Sequence, residues 1–263
     1  MAAISAKDVQ ELRKSTGVGM MDAKRALEEN DGDVAKATVW LREKGLAGAA
    51  KRSDREAAQG AVAAVKDGQS AAIVQLRSET DFVAKAEEFL PLVEAIAAAV
   101  AKDGPSAVDG FSDQVDTLRT TLKENISVGE VVYLKAGEGE IIDTYQHNQA
   151  GRGVNATAVV IKGGDQELAH DIAVHIAFAR PSYLRREDVP AEEVEAERAT
   201  IEQISRNEGK PEASLPKIIE GRLNGWFKER VLLEQAYAKD EKQSISDLLK
   251  GAELVAYAQV LIG

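Results

Sequence analysis

The stretch Ile73-Val74-Gln75-Leu76-Arg77-Ser78-Glu79-Thr80-Asp81-Phe82-Val83-Ala84, followed by an alanine-rich segment, decides the fold of the first part of the body. An apolar run bounded by polar residues ends at Arg77, which is typical of a strand. From residue 86 onward the apolar side chains recur at helical spacing: Phe89, Leu90, Val93, Ile96, Ala97 and Val100. The pattern therefore predicts a strand, a short turn and a helix at residues 86–101.

The turn between this strand and helix has two interpretations. In the first, Asp81 or Ser78 caps the helix, as Thr80 also could, and the Phe82 ring packs back against it. In the second, the turn points outward and offers a ring and a carboxylate to a partner protein, because aromatic anchors dominate the energetics of interfaces. Spacing alone favours the first interpretation.

The charge of the chain argues against one class of partner. The 263 residues carry a formal net charge of -11, with a pI near 5.0, so we expect no generic binding to nucleic acid or to an anionic membrane. Residues 1–52 hold ten Lys or Arg against eight Asp or Glu, a net +2 that leaves -13 for the remainder. A mildly basic head on an acidic body indicates two surfaces with different roles.

The sequence contains no cysteine, which excludes disulfides, thiolate metal sites and a cysteine nucleophile. No N-terminal apolar stretch is typical of a signal peptide, and no run reaches the roughly 20 apolar residues that a membrane span requires. We therefore expect a soluble, cytoplasmic protein that does not bind membranes.

Residues 1–54 predict a small domain of three short helices around one modest core. Ser5 can cap the first helix and Asp33 the third. Gly45 is expected to end the third helix. A charged, alanine-rich and partly helical linker is expected at residues 44–59.

The second of these three helices has one apolar face, formed by Met20, Ala23 and Leu27. Met20 is therefore expected to belong to the core. Met21 is displaced from that stripe and can face outward.

The body contains the same plan twice. A predicted hairpin at residues 61–76 leads into the helix at 86–101, and a second hairpin at 141–161 leads into a helix at 165–179. A hairpin followed by a crossing helix, repeated, predicts an α+β fold with two similar core halves. We place these halves at residues 55–139 and 140–263.

Further segments complete the body. Residues 111–122 are amphipathic, and residues 130–134 predict an additional strand. In the second half, a thin apolar stripe interrupted at residues 207–211 indicates two antiparallel helices, inserted as a helical hairpin at about 188–230. The pattern also predicts two short elements farther on: a helix at 246–250 and a strand at 255–262.

None of the three histidines is in a setting typical of a metal site. His170 and His175 are five residues apart on one predicted helix, about 140° around its axis, so they cannot share a metal ion as residues four apart can. His175 can pair with Asp171 one turn earlier, which is a structural role. His147 differs, because it lies at the tip of the second hairpin, where exposed residues are free to serve function. We expect no metal site and no cofactor.

Two motifs are similar to those of a known family. Its two signatures resemble Glu79-Thr80-Asp81-Phe82-Val83-Ala84 and Leu12-Arg13-Lys14-Ser15-Thr16-Gly17-Val18-Gly19-Met20-Met21-Asp22-Ala23-Lys24-Arg25-Ala26-Leu27. The family is bacterial elongation factor Ts, the nucleotide-exchange factor of the GTPase elongation factor Tu. Tyr145-Gln146-His147 is a weaker similarity. Ala23 stands where many members have cysteine, and Asn148 where a glycine is frequent.

The resemblance implies a fold and a function. It implies a ubiquitin-associated-like head and a coiled-coil insertion in the second half. It also implies that the chain binds elongation factor Tu carrying GDP, displaces Mg²⁺ and promotes GDP release, so that GTP can bind. Such a protein is not an enzyme and has no nucleotide site of its own.

The resemblance also implies which residues contact the partner. Phe82 would enter an apolar gap in the GTPase domain while Asp81 helps to dislodge the shell around Mg²⁺, and Thr80 and Val83 would hold the turn in shape. His147 would press on the phosphate-binding loop from the adjacent hairpin. The second half would bind another domain, and the head would contact the same GTPase domain through Lys14, Met21 and Lys24.

Three other classes of function compete with this one. An enzyme is disfavoured because the sequence shows no nucleophile elbow, thiol, metal-spaced cluster or phosphate loop. An adaptor would bind through the head alone, so that deleting residues 1–54 would abolish binding rather than weaken it. RNA binding is disfavoured by the acidic body and would be tested by salt-dependent gel shifts.

Overall fold

The computed structural model describes residues 4–263 and confirms the predicted α+β class. The helices of this part of the chain are α1 (Ala6–Thr16), α2 (Met20–Glu29), α3 (Val34–Ala50), α4 (Phe89–Asp103), α5 (Ser112–Leu122), α6 (Gln166–Ala179), α7 (Ala191–Asn207), α8 (Leu215–Arg230) and α9 (Ile245–Leu249). The strands are β1 (Gln59–Asp67), β2 (Ser70–Ser78), β3 (Ser127–Lys135), β4 (Glu140–Gln149), β5 (Arg152–Lys162), β6 (Ala236–Tyr237), β7 (Asp240–Ser244) and β8 (Glu253–Leu261).

Helices α1 to α3 form the head around its own apolar cluster, which includes the fully buried Leu12 and Leu27. Both predicted caps are confirmed. The Ser5 hydroxyl accepts a hydrogen bond from the Asp8 N–H (3.2 Å), and the Asp33 carboxylate accepts one from the Lys36 N–H (3.0 Å). These bonds satisfy backbone donors that the first turn of a helix leaves without partners.

The predicted end of the third helix at Gly45 is wrong, because α3 continues to Ala50. A Cβ atom at residue 45 would overlap the side chain of Thr120 in α5. Gly45 therefore allows a close approach of the head to the body and does not act as a helix stop. The predicted helical part of the linker is the end of α3, residues 44–50.

The repeated plan of the body is confirmed. The first half contains an antiparallel sheet in the order β1-β2-β3, and the second contains an antiparallel sheet in the order β4-β5-β8. Each sheet is a hairpin extended by a third strand that comes later in the chain. Helix α4 packs on the first sheet and helix α6 on the second.

The two sheets pack face to face. Alternate residues of β2 point to opposite sides: Ala72 and Val74 contact α4, whereas Ile73 contacts the second sheet. The same alternation in β5 directs Val159 to α6 and Val160 to the first sheet. The body is therefore layered as helices, sheet, sheet and helix, with alanine-rich strands between the halves.

The inserted helical hairpin is confirmed as α7 and α8, which pack against each other through their own apolar cluster. At the base of the hairpin, the Arg186 guanidinium forms two hydrogen bonds with the Glu234 carboxylate (2.6 and 2.5 Å). The short helix α9 and the last strand β8 are also confirmed. The small β6–β7 pair was not predicted, because its strands are too short and polar to show a pattern. No helix among residues 4–263 is long and apolar enough to cross a membrane.

Candidate functional site

The segment that joins β2 to α4, residues 79–88, is called the tip loop here. It contains a 3₁₀ turn at Val83–Lys85, and α4 begins only at Phe89. The predicted helix start at residue 86 and its predicted cap are therefore wrong, since Glu88 precedes α4 and makes no side-chain cap bond. Pro91 explains the later start: it is tolerated in the first helical turn, but in a helix begun at residue 86 it would break an interior hydrogen bond.

The Phe82 ring points away from the body, and 82% of the residue is exposed to solvent. The interpretation in which this ring packs back against the helix is therefore wrong. The next residues hold the loop down, because Ala84 is fully buried and Val83 packs against the core of the first half. The loop thus presents one large apolar side chain on a base fixed by smaller ones.

Asp81 lies beside this ring and is paired within the loop. The Lys85 ammonium donates a hydrogen bond to the Asp81 carboxylate (2.6 Å), which lowers the carboxyl pKa, and the charges of Lys85 and Arg152 lower it further. Asp81 is therefore ionised at neutral pH. The tip combines an apolar ring with a negative charge, as the second interpretation of the sequence requires.

Thr80 faces the body. Its hydroxyl donates to the Glu124 carboxylate (2.6 Å) and lies 3.4 Å from the N–H of Val83, at the start of the 3₁₀ turn. Thr80 therefore ties the loop to the body through its side chain.

His147 lies in β4 close to the turn of the second hairpin and is exposed. The turn itself is the residue pair Ala150 and Gly151, both with positive φ (51° and 82°), a geometry that suits a two-residue hairpin. The ladder register shifts between His147 and Asn148, and such an irregularity re-aims the side chains next to it.

His147 borders a groove of about 860 Å³ that sequence reasoning missed. Phe178, 77% exposed, and the guanidinium-bearing Arg180 line the groove, together with the last residues of the chain. The exposure of Phe178 could have been predicted from the sequence. Phe178 follows the buried Ile176 by two positions, about 200° around α6, and therefore faces away from the core.

Arg152 connects the two candidate regions. Its guanidinium donates to the Gln59 side-chain oxygen (3.0 Å) and to the Gly60 carbonyl, so it ties the second hairpin to the start of β1. The same residue lines the His147 groove and is close enough to Asp81 to lower its pKa. The structure therefore brings the tip loop and the second hairpin to neighbouring parts of the body.

The predicted head residues Lys14, Met21 and Lys24 are all exposed, Met21 to 67%. Lys24 forms an ion pair with Glu28 one turn later (3.7 Å). The prediction that Met20 belongs to the core is wrong, because it is 48% exposed. Met20 is the first residue of α2, and the core contacts of that helix come from later residues: Ala23, Ala26 and Leu27. The head thus exposes two adjacent methionines between basic side chains.

His175 is buried, and its predicted pairing with Asp171 is wrong. The ring nitrogen Nδ1 accepts a hydrogen bond from the Ala238 N–H (3.2 Å), and Nε2 lies 3.0 Å from the Gln235 amide oxygen. Asp171 instead accepts hydrogen bonds from Tyr237 (2.7 Å) and Lys239 (2.5 Å). Among residues 4–263, no group of three or more His, Asp or Glu side chains is arranged to hold a metal ion.

Comparison with known proteins gives a consistent result. The family described as "Elongation factor TS" matches residues 79–263, a part that begins with the first residue of the tip loop. Over the full length of both chains, the protein is 48% identical to Elongation factor Ts of Clavibacter sepedonicus. It is 44% identical to Elongation factor Ts of Leifsonia xyli subsp. xyli and 42% identical to that of Streptomyces griseus subsp. griseus, again over all of both chains.

Proposed function

The chain belongs to the elongation factor Ts family, and on that basis we propose that it binds elongation factor Tu carrying GDP, displaces Mg²⁺ and promotes GDP release so that GTP can bind. The observation that supports this proposal most is the exposed ring of Phe82 beside the ionised Asp81, within the sequence that resembles the family signature. An exposed phenylalanine on a tethered loop has no packing role in its own chain. It is suited to a pocket in a partner.

Energetics define what an exchange factor must do. A GTPase that holds GDP with nanomolar affinity gains about 12 kcal/mol from binding, and the factor must offset a large part of it. Coupling between two ligands is reciprocal, so a factor that weakens GDP binding is itself bound more weakly when GDP is present. Such a protein needs a broad contact surface and a local contact that competes with the metal and phosphate site.

The tip loop provides the local contact in this proposal. Phe82 enters an apolar gap in the GTPase domain, where desolvation of the ring drives insertion. The Asp81 carboxylate then lies beside the Mg²⁺ shell and disturbs the water molecules and ligands that hold the ion against the β-phosphate. Asp81 must exchange its contact with Lys85 for contacts in the partner, and its partial exposure permits that exchange.

The broad contact has three parts. Exposed methionine and lysine side chains of the head, Met21, Lys14 and Lys24, bind the same GTPase domain. His147 approaches from the second hairpin and helps the phosphate-binding loop to rearrange. The second half binds another domain of the partner.

In this proposal the protein carries out no covalent chemistry, is not an enzyme, and needs neither a cofactor nor a nucleotide site of its own. It acts in the cytoplasm on one protein partner, and binding to nucleic acid or membranes has no part in it. All selectivity for nucleotide release then lies in the protein–protein contact.

The test is stopped-flow release of a fluorescent GDP from elongation factor Tu. We expect the protein to accelerate release strongly, and we expect the complex of the two proteins to dissociate when GDP and Mg²⁺ are added. A release rate that does not depend on this protein would reject the proposal. The adaptor alternative is tested with Met21→Ala and Lys24→Ala together, which should weaken binding in an exchange factor but abolish it in a protein that binds through its head alone.

A further inference from the structure

The short connection between α5 and β3 contacts three separate parts of the chain through consecutive residues. Lys123 donates a hydrogen bond from its ammonium to the Asp22 carboxylate in α2 of the head (2.8 Å). Glu124 accepts hydrogen bonds from the tip loop, and Asn125 donates to the linker that follows α3. Lys123, Glu124 and Asn125 together are called the brace. They connect the head, the linker and the tip loop.

The Glu124 carboxylate collects three donors of the tip loop. Oε2 accepts the backbone N–H groups of Glu79 and Thr80, each at 3.1 Å, and Oε1 accepts the Thr80 hydroxyl at 2.6 Å. Hydrogen bonds to an ionised acceptor are stronger than neutral ones. The Thr80 carbonyl also accepts from the hydroxyl of the buried Ser78 (2.8 Å). Thr80 is thus held through its side chain and both backbone polar groups, immediately before Asp81 and Phe82.

Asn125 holds Glu79, the residue before Thr80, by donating a hydrogen bond to it. Its backbone N–H donates to the Glu79 carboxylate (2.7 Å), which also lies 3.4 Å from the Arg55 guanidinium. Its side-chain amide donates to the carbonyls of Ser53 (3.0 Å) and Arg55 (2.7 Å). Glu79 is therefore held at its N–H by Glu124 and at its carboxylate by Asn125 and Arg55.

The backbone of the connection is itself constrained. Lys123 adopts the left-handed conformation (φ 59°) where α5 ends, and β3 begins at Ser127. Only three residues, 124–126, separate Lys123 from that strand, and Ile126 among them is fully buried. Helix α5 also packs closely on the head, where Gly45 meets Thr120. The brace is therefore fixed to the part of the body that carries the head.

We propose that the brace sets the position of the tip loop relative to the head, and that Glu124 is a positioning residue for nucleotide release. This inference depends on the function proposed above. Two surfaces that must reach one GTPase domain together lose affinity or rate when their spacing varies, because the bound arrangement then has to be ordered at each encounter. A displacement of about 1 Å in a positioned group can cost about a hundredfold in rate.

The experiment measures GDP release from elongation factor Tu at increasing concentrations of the full-length protein, which separates the maximal rate from the half-saturating concentration. Glu124→Ala removes the acceptor of all three loop donors, and we expect the maximal rate to fall about tenfold. The half-saturating concentration should change less than about threefold, since the predicted contacts of the head and of His147 remain. Glu124→Gln keeps one acceptor oxygen for the two N–H groups and should restore most of the rate.

Two controls make the result specific. Glu140→Ala is matched to Glu124→Ala, because Glu140, the first residue of β4, is a half-buried carboxylate that accepts a hydrogen bond from the backbone N–H of Gly137 (2.6 Å), away from the tip loop. It should leave the maximal rate unchanged. The second control places Glu124→Ala in a background of Asp81→Ala combined with Phe82→Ala. If Glu124 acts through the ring and carboxylate that the tip loop presents, its effect on the rate should disappear there.

The outcomes separate the two proposals. A wild-type protein that does not accelerate GDP release rejects the function itself, and Phe82→Ala at the wild-type rate rejects the role of the ring. If Phe82→Ala is slow but Glu124→Ala releases GDP at the wild-type maximal rate, only the brace is wrong. The same holds if Glu124→Ala lowers the rate equally in both backgrounds. If Glu124→Ala is unfolded at the assay temperature, Glu124→Asp replaces it: it keeps the charge, shortens the reach, and should also slow release.

Discussion

The two halves of the body share one plan but differ where the hairpin joins its helix. In the first half, ten residues, 79–88, separate the end of β2 from α4. In the second half, Gly163, Gly164 and Asp165 alone separate β5 from α6. The second half shows that three residues suffice to connect a strand to its crossing helix in this architecture. The longer junction of the first half is the tip loop that carries Phe82.

The short junction is occupied entirely by structural contacts. The Asp165 carboxylate accepts a hydrogen bond from the Leu168 N–H (2.8 Å) and caps α6, and a Cβ at Gly164 would overlap Ile161 and Leu168. The long junction instead leaves α4 without a side-chain cap and exposes a phenylalanine. Helix α4 is anchored by Phe89, whose side chain is fully buried at its first position. Residues that a repeat does not need for folding are candidates for function.

The largest expected effect concerns this anchor. Phe89→Ala should lower the free energy of unfolding by about 3 to 5 kcal/mol, because it leaves a cavity in the core of the first half. Urea denaturation of the full-length protein measures the change. Phe82→Ala, seven residues earlier, is the matched control and should change the free energy of unfolding by less than about 0.5 kcal/mol. Equal losses for the two variants would contradict the distinction between an anchoring ring and an exposed one.

The next effect concerns exchange. Asp81→Ala combined with Phe82→Ala should slow the stimulated release of GDP from elongation factor Tu by about thirtyfold, since an aromatic anchor is worth about 2 kcal/mol. The thermal unfolding temperature should stay unchanged. Val39→Ala removes another exposed apolar side chain, on α3 of the head, and serves as the control with an unaltered rate. A double variant as fast as the wild type would remove the tip loop from the mechanism.

A smaller effect tests the junction of the second half. Asp165→Ala removes the cap of α6 and should cost about 1 kcal/mol of stability in urea denaturation. The corresponding residue of the first half, Glu88, makes no cap bond, so Glu88→Ala should be close to neutral. A loss of stability at Glu88 equal to that at Asp165 would show that both junctions depend on capping, so that the two halves do not differ in this respect.

Most of the fold could be predicted from the spacing of apolar residues and from the residues that begin or end each helix and strand. The alternation in β2 and β5, the helical spacing in α4 and α6 and the caps at Ser5 and Asp33 all depend on neighbours within a few residues, so a local pattern records them. The end of α3 could not be predicted in this way, because Gly45 is required by Thr120, a residue far along the chain. The start of α4 depends on a local restriction, because Pro91 is tolerated only in the first turn of the helix.

The candidate site was predictable only in part. The exposed ring could not be deduced from spacing, which favoured a packed Phe82, and it was the resemblance to a family motif that indicated an outward loop. The contacts that hold the loop come from Glu124 and Asn125, more than forty residues away in the chain, so no local pattern reveals them. Tertiary partners of this kind decide whether the same residue types form a cap or an exposed tip.

The stability of the two halves should depend differently on pH. This is the smallest expected effect near neutral pH, and it grows in acid. The second half buries His175 against Gln235 and the Ala238 N–H, whereas the described residues of the first half bury polar side chains that do not titrate, Gln75 and Ser78. Burial lowers the pKa of His175 below its ordinary value of 6.5. The Ala238 N–H donates to Nδ1, which must therefore be unprotonated, and a proton there would break that hydrogen bond.

The sign of the pH dependence follows from this shift. Well above pH 6.5 the histidine is neutral in both the folded and the unfolded chain, and the full stability is present. Below pH 6.5 the unfolded chain binds the proton more readily, so stability falls until the lowered folded pKa is reached.

Hydrogen exchange, corrected for its intrinsic pH dependence, should show α6 losing protection at pH 5 before α4 does. His175→Gln should abolish this difference, whereas His170→Gln, on the exposed side of the same helix, should preserve it. Equal loss of protection in α4 and α6 would mean that the two halves unfold as one cooperative unit. The junctions would then differ in function, but the two halves would not differ in stability.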